Sequence, residues 1–358
     1  MILTGEADEQ PVHGGDLGAA RRLFPDAPEP FIDLSTGINP NPYPLPRFSA
    51  ELYARLPEPA TVVALAAAAA RAYGAPSAAH IVPAPGTQIL LPLVARLVRP
   101  GRAAVLLRSY PEHARAAAFA GHTLTSVHAI EKCGDANLII VGNPNNPDGR
   151  LFARADLLAL AKDLRRSGGV LVVDEAFMDV GPPGVGLAAD TALSNIVVLR
   201  SFGKFFGLAG VRLGFAIAAP AIAARLRAAL GPWAVSGPAA AVGAKALADT
   251  AWIERTRERL AKSVRRLDAI LAGALLDIVG GTNLFRLVRT PAAPALSYHL
   301  GRAGIWVRTF PDKADWLRFG PPPNERAWRR LHHAMESFRD SGKATRRGVN
   351  RGGKDRLR

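Results

Sequence analysis

Cysteine is almost absent: Cys133 is the one cysteine among 358 residues. A single cysteine excludes an internal disulfide framework and a cysteine-rich zinc site, and we predict no metal. Long apolar runs are also missing, because the longest, residues 62–70, is alanine-rich and falls short of the ~18 residues of a membrane span. The acidic start, MILTGEADEQ, lacks the basic and apolar regions of a secretory signal. These absences predict a cytoplasmic protein with no membrane partner.

Acidic residues are scarce as well, since 30 Asp and Glu stand against 45 Lys and Arg, for a net charge of +15. However, residues 341–358 alone hold seven lysines and arginines and one aspartate. The rest of the chain shows no basic patch interleaved with aromatic residues, so we do not expect a nucleic-acid partner. The glycine-rich tail has no apolar periodicity and is predicted to be disordered, either silent or a partner-binding arm.

Short apolar strands alternate with helical patterns through the first two thirds of the chain. This alternation predicts an α/β fold with a mostly parallel sheet that is buried on both faces. In such sheets ligands bind at the carboxyl ends of the strands. Strands are predicted at 103–107, 138–141, 170–173 and 196–199, and helices at 52–73, 88–98, 112–120 and 153–166.

The last third has a different pattern. A long helical stretch from residue 238 to 272 precedes short strands at 285–288 and 305–308 and a helix at 325–338, which indicates a smaller α+β domain. The predicted organisation is an N-terminal segment that packs on the small domain or over the cleft (1–40), a large α/β/α domain (41–250), the small domain (251–340) and a tail (341–358).

One segment after an apolar strand, SFGKFFGLAGVRLG at residues 201–214, carries reactive chemistry. Lys204 lies in an apolar, glycine-rich turn beside a second cation, an environment that favours the neutral amine required for a Schiff base. Ser201 and the forked guanidinium of Arg212 are suited to a phosphate. Taken alone, the segment is equally consistent with a surface lysine on a flexible turn.

Two further segments end apolar strands. Asp174, in VDEAF, lies where a ligand would bind and could keep a heterocyclic nitrogen protonated, although aspartate also commonly caps the next element. The segment GNPNNPDG, residues 142–149, forms a rigid turn that presents amide side chains, as an ordinary polar turn also would.

In their order, NPNNPDG, DEAF about thirty residues later and SFGKFFGLAGVRLG resemble the fold type I enzymes that use pyridoxal phosphate. The resemblance covers nearly the whole chain except the tail, and it implies that fold, this cofactor and a homodimer. It implies that Lys204 carries the cofactor as a Schiff base and that Asp174 pairs with the pyridine nitrogen. The other cofactor-binding residues that it implies are Gly86, Thr87 and Gln88 at a helix start, Ser201 and Arg212 for the phosphate, Asn146 for the phenolic oxygen, and Tyr110 stacked on the ring or, alternatively, a core aromatic.

The sequence departs from the family pattern at two positions. The usual tyrosine of the Asp-x-Ala-Tyr motif is Phe177, which cannot donate a hydrogen bond to the ring oxygen. Where a tyrosine of the partner subunit often reaches the phosphate, this chain has Leu56. Tyr53 lies nearby but is not assigned that role.

Within the family, the chain is similar to the branch that contains histidinol-phosphate aminotransferase and the threonine-phosphate decarboxylase of cobalamin synthesis. The opening HGG followed by DLSTGINP, the phenylalanine in DEAFMD, and the segments VRTF and WLRFG favour decarboxylation. The resemblance implies that His13 and Asn39 lie near the substrate, that Arg308 lies near its phosphate and that Arg318 binds its carboxylate. By themselves, these could be loop and surface residues.

The expected reaction is decarboxylation of L-threonine O-3-phosphate to (R)-1-amino-2-propanol O-2-phosphate. Aminotransfer of the histidinol-phosphate type is the alternative, because the same groups support either reaction and bond orientation decides between them. A non-catalytic ligand-binding protein of this fold is the remaining alternative. Retention of Lys204 argues against that alternative.

Overall fold

The structure, a computed structural model, describes residues 14–352, with side chains through Ser341. Within this range the chain forms two compact units. The larger comprises residues 37–269 and 278–287, and the smaller comprises 14–36, 270–277 and 288–352. The domain boundaries at 40 and 250 stay a prediction. The helix that begins at Thr250 runs unbroken to Gly273, so one division between the compact units falls inside it.

Helices and strands alternate through much of the larger unit, whereas the three helices between residues 220 and 273 follow one another directly. The helices are α1 (Leu17–Leu23), α2 (Glu51–Ala54), α3 (Pro59–Tyr73), α4 (Thr87–Ala95), α5 (Pro111–Phe119), α6 (Arg154–Arg166), α7 (Phe202–Phe205), α8 (Pro220–Leu230), α9 (Gly237–Ala248), α10 (Thr250–Gly273), α11 (Ala293–Arg302) and α12 (Glu325–Gly352). The strands are β1 (Ile32–Asp33), β2 (Ile81–Ala84), β3 (Arg102–Leu106), β4 (Thr123–Val127), β5 (Leu138–Gly142), β6 (Val170–Asp174), β7 (Ile196–Ser201), β8 (Gly214–Ala218), β9 (Asp277–Thr282), β10 (Phe285–Arg289), β11 (Ile305–Trp306), β12 (Arg308–Thr309) and β13 (Trp316–Phe319).

A seven-stranded sheet, in the order β2-β8-β7-β6-β5-β3-β4, forms the centre of the larger unit. The pairs β7–β6, β6–β5, β5–β3 and β3–β4 are parallel, whereas β8 runs antiparallel to both β7 and β2. The predicted mostly parallel α/β sheet is confirmed. The strands β2, β4 and β8 were not predicted from the sequence.

Both faces of this sheet are buried, as the continuous apolar strands indicate. In β5, Ile139 and Val141 belong to one apolar cluster, whereas Leu138 and Ile140 belong to the cluster on the other face. This alternation follows from the two-residue repeat of a strand. Polar side chains that end these strands therefore meet at one edge of a rigid sheet.

The predicted helix at 52–73 is in fact two helices. Pro57 lies between α2 and α3, and Pro59 is the first residue of α3, a position that proline tolerates. The helix α3 ends at Gly74, whose φ of 71° is left-handed and suits glycine.

In the smaller unit, β1 pairs in parallel with β11, and β12 pairs antiparallel with β13. The strands β9 and β10 contain the divisions between the units. The closing helix α12 continues to Gly352, past the predicted end at 338, so residues 341–352 are helical where the sequence predicted a disordered tail. This stretch holds no proline, and each further helical residue adds a backbone hydrogen bond. Between residues 14 and 352, no helix is long and apolar enough to cross a membrane.

Candidate active site

Two predicted site residues, Asp174 and Ser201, lie at one edge of the seven-stranded sheet. Asp174 ends β6, where it pairs with Gly142 at the end of the neighbouring strand β5. Ser201 ends β7 and pairs with Gly214, which also pairs with Ala84 at the end of β2. The carboxyl ends of β5, β6, β7 and β2 therefore coincide, which is the edge where open α/β sheets bind ligands.

An anion cradle lies where β2 leads into α4. Gly86 precedes the helix with a φ of 90°, and a Cβ at this position would stand 2.7 Å from Nη2 of Arg212. A Cβ at Gly214 would likewise meet the backbone nitrogen of Thr87 at 2.7 Å. The structure therefore gathers the start of α4, the guanidinium of Arg212 and the strand end that carries Ser201. Free N–H groups, a helix dipole and a forked cation together suit a phosphate.

The position of Arg212 is fixed by its backbone conformation and by a hydrogen bond of its side chain. Its φ of 55° is left-handed, which is uncommon for a residue other than glycine, and Nη1 donates to the carbonyl oxygen of Ala209 at 3.1 Å. Such a backbone conformation persists where the surrounding structure fixes it, often at functional sites.

The side chain of Gln88 bonds two residues at the start of α5. Its Nε2 donates to Oε2 of Glu112 at 2.6 Å, and its Oε1 accepts from the hydroxyl of Tyr110 at 3.1 Å. Tyr110, which caps α5, also meets the ring of His113 edge-on at a centroid distance of 5.6 Å. Two contacts thereby orient the Tyr110 ring, while the phosphate role of Gln88 stays a prediction.

Asp174 has a partner that the sequence did not reveal. Its Oδ2 accepts a hydrogen bond of 2.9 Å from Nε2 of His113, and both side chains are buried. Its Oδ1 accepts from the backbone nitrogen of Ala176 at 3.1 Å, which is the local capping contact considered for this residue. The carboxylate is therefore oriented by contacts on both oxygens.

Lys204 lies in the short helix α7, directly after β7. Its carbonyl oxygen accepts from the backbone nitrogen of Asn39, and its Nζ lies 5.8 Å from the centroid of the Phe177 ring. The Asn39 side chain donates to the carbonyl oxygen of Phe205 at 2.9 Å. Asn39 thus holds the lysine-bearing turn, whereas its substrate role stays a prediction.

The turn between β5 and α6 is fixed by its own side chains. The peptide bonds before Pro144 and Pro147 are cis. Asn145 donates from Nδ2 to Oδ1 of Asp148 at 2.8 Å and to the carbonyl oxygen of Arg108 at 3.1 Å. The two hydrogen bonds of Asn145 fix the turn in which the half-buried Asn146 lies.

The two arginines predicted to bind the substrate are directly opposite one another in the smaller unit, since Arg308 and Arg318 are cross-strand partners in β12 and β13. Arg318 is buried, and its Nη2 donates to the carbonyl oxygen of Ser35 at 2.9 Å. Burial, and next the charge of Arg308, lower the pKa of the Arg318 guanidinium to about 9, while Asp33 opposes the shift. Two cations held together in this way suit an anionic ligand, because like charges directly opposite destabilise a sheet. His13 lies outside the described residues.

Comparison with known proteins identifies the family. Residues 45–331 match the family described as aminotransferase class I and II. The chain belongs to this family. A threonine-phosphate decarboxylase of Pseudomonas aeruginosa is 41% identical over 331 residues, which cover 92% of this chain and 98% of the relative. Another, of a Sinorhizobium species, is 43% identical over 330 residues, which cover 90% of this chain and 97% of the relative.

A solved structure shows the same fold. The histidinol-phosphate aminotransferase of Sinorhizobium meliloti, solved in complex with pyridoxal-5'-phosphate, matches with a TM-score of 0.75 at 22% identity. The match covers 94% of this chain and 99% of that chain. The fold type I architecture predicted from the sequence is thereby confirmed.

Pyridoxal phosphate, the cofactor of the aminotransferase class I and II family, fits the residues present. The cradle at Gly86 brings the Arg212 guanidinium to a helix start with no Cβ between them, as a phosphate requires. At the same sheet edge, Asp174 presents a buried carboxylate and α7 presents an amine. An anion site, a buried carboxylate and a lysine are the three groups that hold this cofactor.

Other residues of the site were missed from the sequence. His113 stands three residues after Tyr110 on one face of α5, and that spacing was the available signal. A buried cluster also joins the ends of β6 and β7: Arg200 donates to Oε2 of Glu175 at 3.0 Å and to Oδ1 of Asp179 at 2.7 Å. Arg200 and Glu175 are the chain neighbours of Ser201 and Asp174, so this cluster supports both strand ends.

Proposed function

We propose that this protein decarboxylates L-threonine O-3-phosphate to (R)-1-amino-2-propanol O-2-phosphate, a reaction of cobalamin biosynthesis. The observation that carries the proposal is the similarity to two threonine-phosphate decarboxylases over 90% or more of the chain. The fold and the arrangement of charged groups are consistent with it. The cytoplasmic location predicted from the sequence is part of the proposal.

The cofactor, when bound, supplies an electron sink for the pair released as the Cα–carboxylate bond breaks. Asp174, oriented by His113, would hold a proton on the pyridine nitrogen. Carbon dioxide leaves, and Lys204 is proposed to give a proton to Cα as general acid. The anion cradle formed by Gly86, Thr87, Ser201 and Arg212 would bind the cofactor phosphate, and Asn146 the phenolic oxygen.

The substrate carries a carboxylate and a phosphate, and the chain offers a matching pair of cations. Arg318 would bind the carboxylate and Arg308 the phosphate, with His13 and Asn39 near the substrate. The support is that Arg308 and Arg318 are held as direct cross-strand partners, an arrangement that an anion stabilises.

We also propose that the protein is a homodimer. Large apolar side chains between residues 45 and 63 are exposed, namely Leu45, Tyr53, Leu56 and Val63. A concentration of exposed apolar residues often marks a protein interface. Light scattering coupled to size-exclusion chromatography measures the mass, and a monomer at micromolar concentration would refute the proposal.

The decisive experiment uses protein purified with pyridoxal phosphate. L-Threonine O-phosphate is added without a keto-acid acceptor, and released carbon dioxide is trapped. We expect carbon dioxide from the wild type and none from K204A. Absence of carbon dioxide together with amino transfer from histidinol phosphate would replace the proposal with an aminotransferase.

A further inference from the structure

The β9–β10 segment, residues 278–287, groups with the larger unit although its flanking residues belong to the smaller unit. Its backbone lies directly against the turn that carries Asn146. The backbone nitrogen of Gly281 donates to the carbonyl oxygen of Asp148 at 2.8 Å. A Cβ built at Gly280 would overlap that same carbonyl oxygen, and a Cβ built at Gly149 would overlap the carbonyl oxygen of Gly281. The β9–β10 segment and the Asn146 turn are therefore in direct backbone contact.

The same segment also contacts the aromatic residue beside Lys204. Phe285 is fully buried, and its ring meets Phe177 edge-on at a centroid distance of 5.0 Å. A Cβ at Gly37 would stand 2.8 Å from Phe177 and 3.1 Å from Phe285. The backbone at Gly37 therefore packs closely against both rings. Phe177 has little room to move between these neighbours. Its ring centroid lies 5.8 Å from Nζ of Lys204.

A two-point ion pair fixes the segment itself. Arg286 donates from Nε to Oδ1 of Asp268 at 2.7 Å and from Nη2 to Oδ2 at 3.1 Å. Asp268 belongs to α10, a helix of 24 residues. A bidentate arginine–carboxylate pair restrains orientation as well as distance. The segment is therefore a rigid support for the Asn146 turn and for Phe177.

We propose that the β9–β10 segment is a positioning element for the cofactor ring. Gly280 and Gly281 set the position of the Asn146 turn, and Phe285 sets the position of Phe177. The inference rests on the proposed cofactor site, because Asn146 and Lys204 are the groups that would hold the ring. A displacement on the order of 1 Å at such groups lowers a rate by about 100-fold.

Gly280→Ala tests the first contact. The added Cβ meets the Asp148 carbonyl, whereas the φ of Gly280 lies outside the left-handed region, so the substitution adds a collision without backbone strain. Gly273→Ala is the matched control, since its Cβ would have no described atom within 4 Å and its φ is also ordinary. In the holoenzyme, we expect G280A to change the visible circular dichroism of bound pyridoxal phosphate and to weaken its binding by about tenfold. G273A should match the wild type.

Phe285→Leu tests the contact between Phe285 and Phe177. It also tests the positioning role if G280A does not fold. Phe215→Leu is its control, because Phe215 is equally buried but packs against Tyr73 on α3. Both variants should lose thermal stability. We expect F285L alone to shift the visible dichroism and the pH midpoint of the cofactor absorbance, signals that general loss of packing does not move.

The outcomes separate the two proposals. If the wild type forms no cofactor band, the proposed cofactor site fails. If the wild type forms the band and folded F285L reproduces its dichroism and pH midpoint, the positioning role is overturned while the proposed function stands.

Discussion

Nε2 of His113 lies 2.9 Å from Oδ2 of Asp174, and both side chains are buried at the edge of the sheet. The two residues are separated by 61 positions in the chain. A buried carboxylate that loses one of its donors changes both its orientation and its electrostatic environment. His113 is therefore a positioning residue for the carboxylate that is proposed to keep the pyridine nitrogen protonated.

We predict that His113→Ala lowers kcat by roughly 10- to 100-fold, the range typical for residues that orient a functional group. The matched control is His122→Ala, because His122 is also buried but bonds the carbonyl oxygen of Ala95. The pH dependence of the cofactor absorbance should change in H113A and remain as in the wild type in H122A. Equal behaviour of the two variants would contradict the positioning role.

Most of the sheet could be predicted from the sequence, because β3, β5, β6 and β7 are short apolar runs followed by turn residues. The missed strands give that signal less clearly. The strand β4 is TLTSV, which is polar and mostly exposed, and β2 contains Pro83. The strand β8, GFAIA, begins at Gly214, the last residue of the lysine motif, and its glycine and two alanines are not typical of strands.

The site residues were predicted from ordered motifs, and the structure adds contacts that no motif contains. That Arg308 and Arg318 are direct partners depends on the register of β12 and β13. The contact of Gln88 with Tyr110 and Glu112 depends on packing between α4 and α5. Such tertiary contacts join distant positions, which a single sequence does not report.

Arg212→Met is predicted to weaken pyridoxal phosphate binding by ~10- to 100-fold. The substitution removes charge-assisted hydrogen bonds worth about 1.5–3 kcal/mol. Gly86→Ala should act in the same direction, because its Cβ would displace the Arg212 guanidinium. Gly74→Ala, which has a left-handed φ of 71° and no described atom within 4 Å of its Cβ, separates backbone strain from displacement. Fluorescence titration measures the dissociation constants. Binding weakened equally in G74A and G86A would contradict the cradle.

Arg318→Met is predicted to raise the stability of the cofactor-free protein at neutral pH, because burial and the charge of Arg308 both disfavour the charged Arg318 guanidinium in the folded state. The same change should raise KM for threonine phosphate on the order of 100-fold. Urea unfolding and steady-state kinetics measure the two effects. A variant that is less stable and retains its KM would contradict the role of Arg318 in substrate binding.

The contribution of Arg318 to the free energy of unfolding changes with pH in one direction. The folded pKa of Arg318 is lowered to about 9, well below the ordinary value of an arginine, so between these two values the unfolded chain binds more protons than the folded chain. Wild-type stability contributed by this group therefore rises with pH above about 9 and is constant below it. The stability advantage of R318M should shrink above pH 9, and an advantage that grows there would contradict this assignment.

The buried cluster of Arg200, Glu175 and Asp179 gives the last prediction. Burial raises the pKa of Glu175, and the Arg200 guanidinium opposes that shift. Arg200→Met would leave two buried carboxyl groups without their cation, a change that costs about 3–5 kcal/mol. We expect a correspondingly lower urea midpoint at pH 7.

The destabilisation of R200M should depend on pH, because the buried Glu175 carboxyl group, whose pKa burial already raises, can take up a proton once its cation is gone. A protonated carboxyl group is cheaper to bury than a carboxylate. The gap between R200M and the wild type should therefore narrow as the pH falls from 7 to 5. Arg154→Met is the control, since Arg154 pairs with Asp190 while its own side chain is exposed, where an ion pair contributes about 0–1 kcal/mol. If R200M were no more destabilised than R154M, the cluster would not hold the ends of β6 and β7 together.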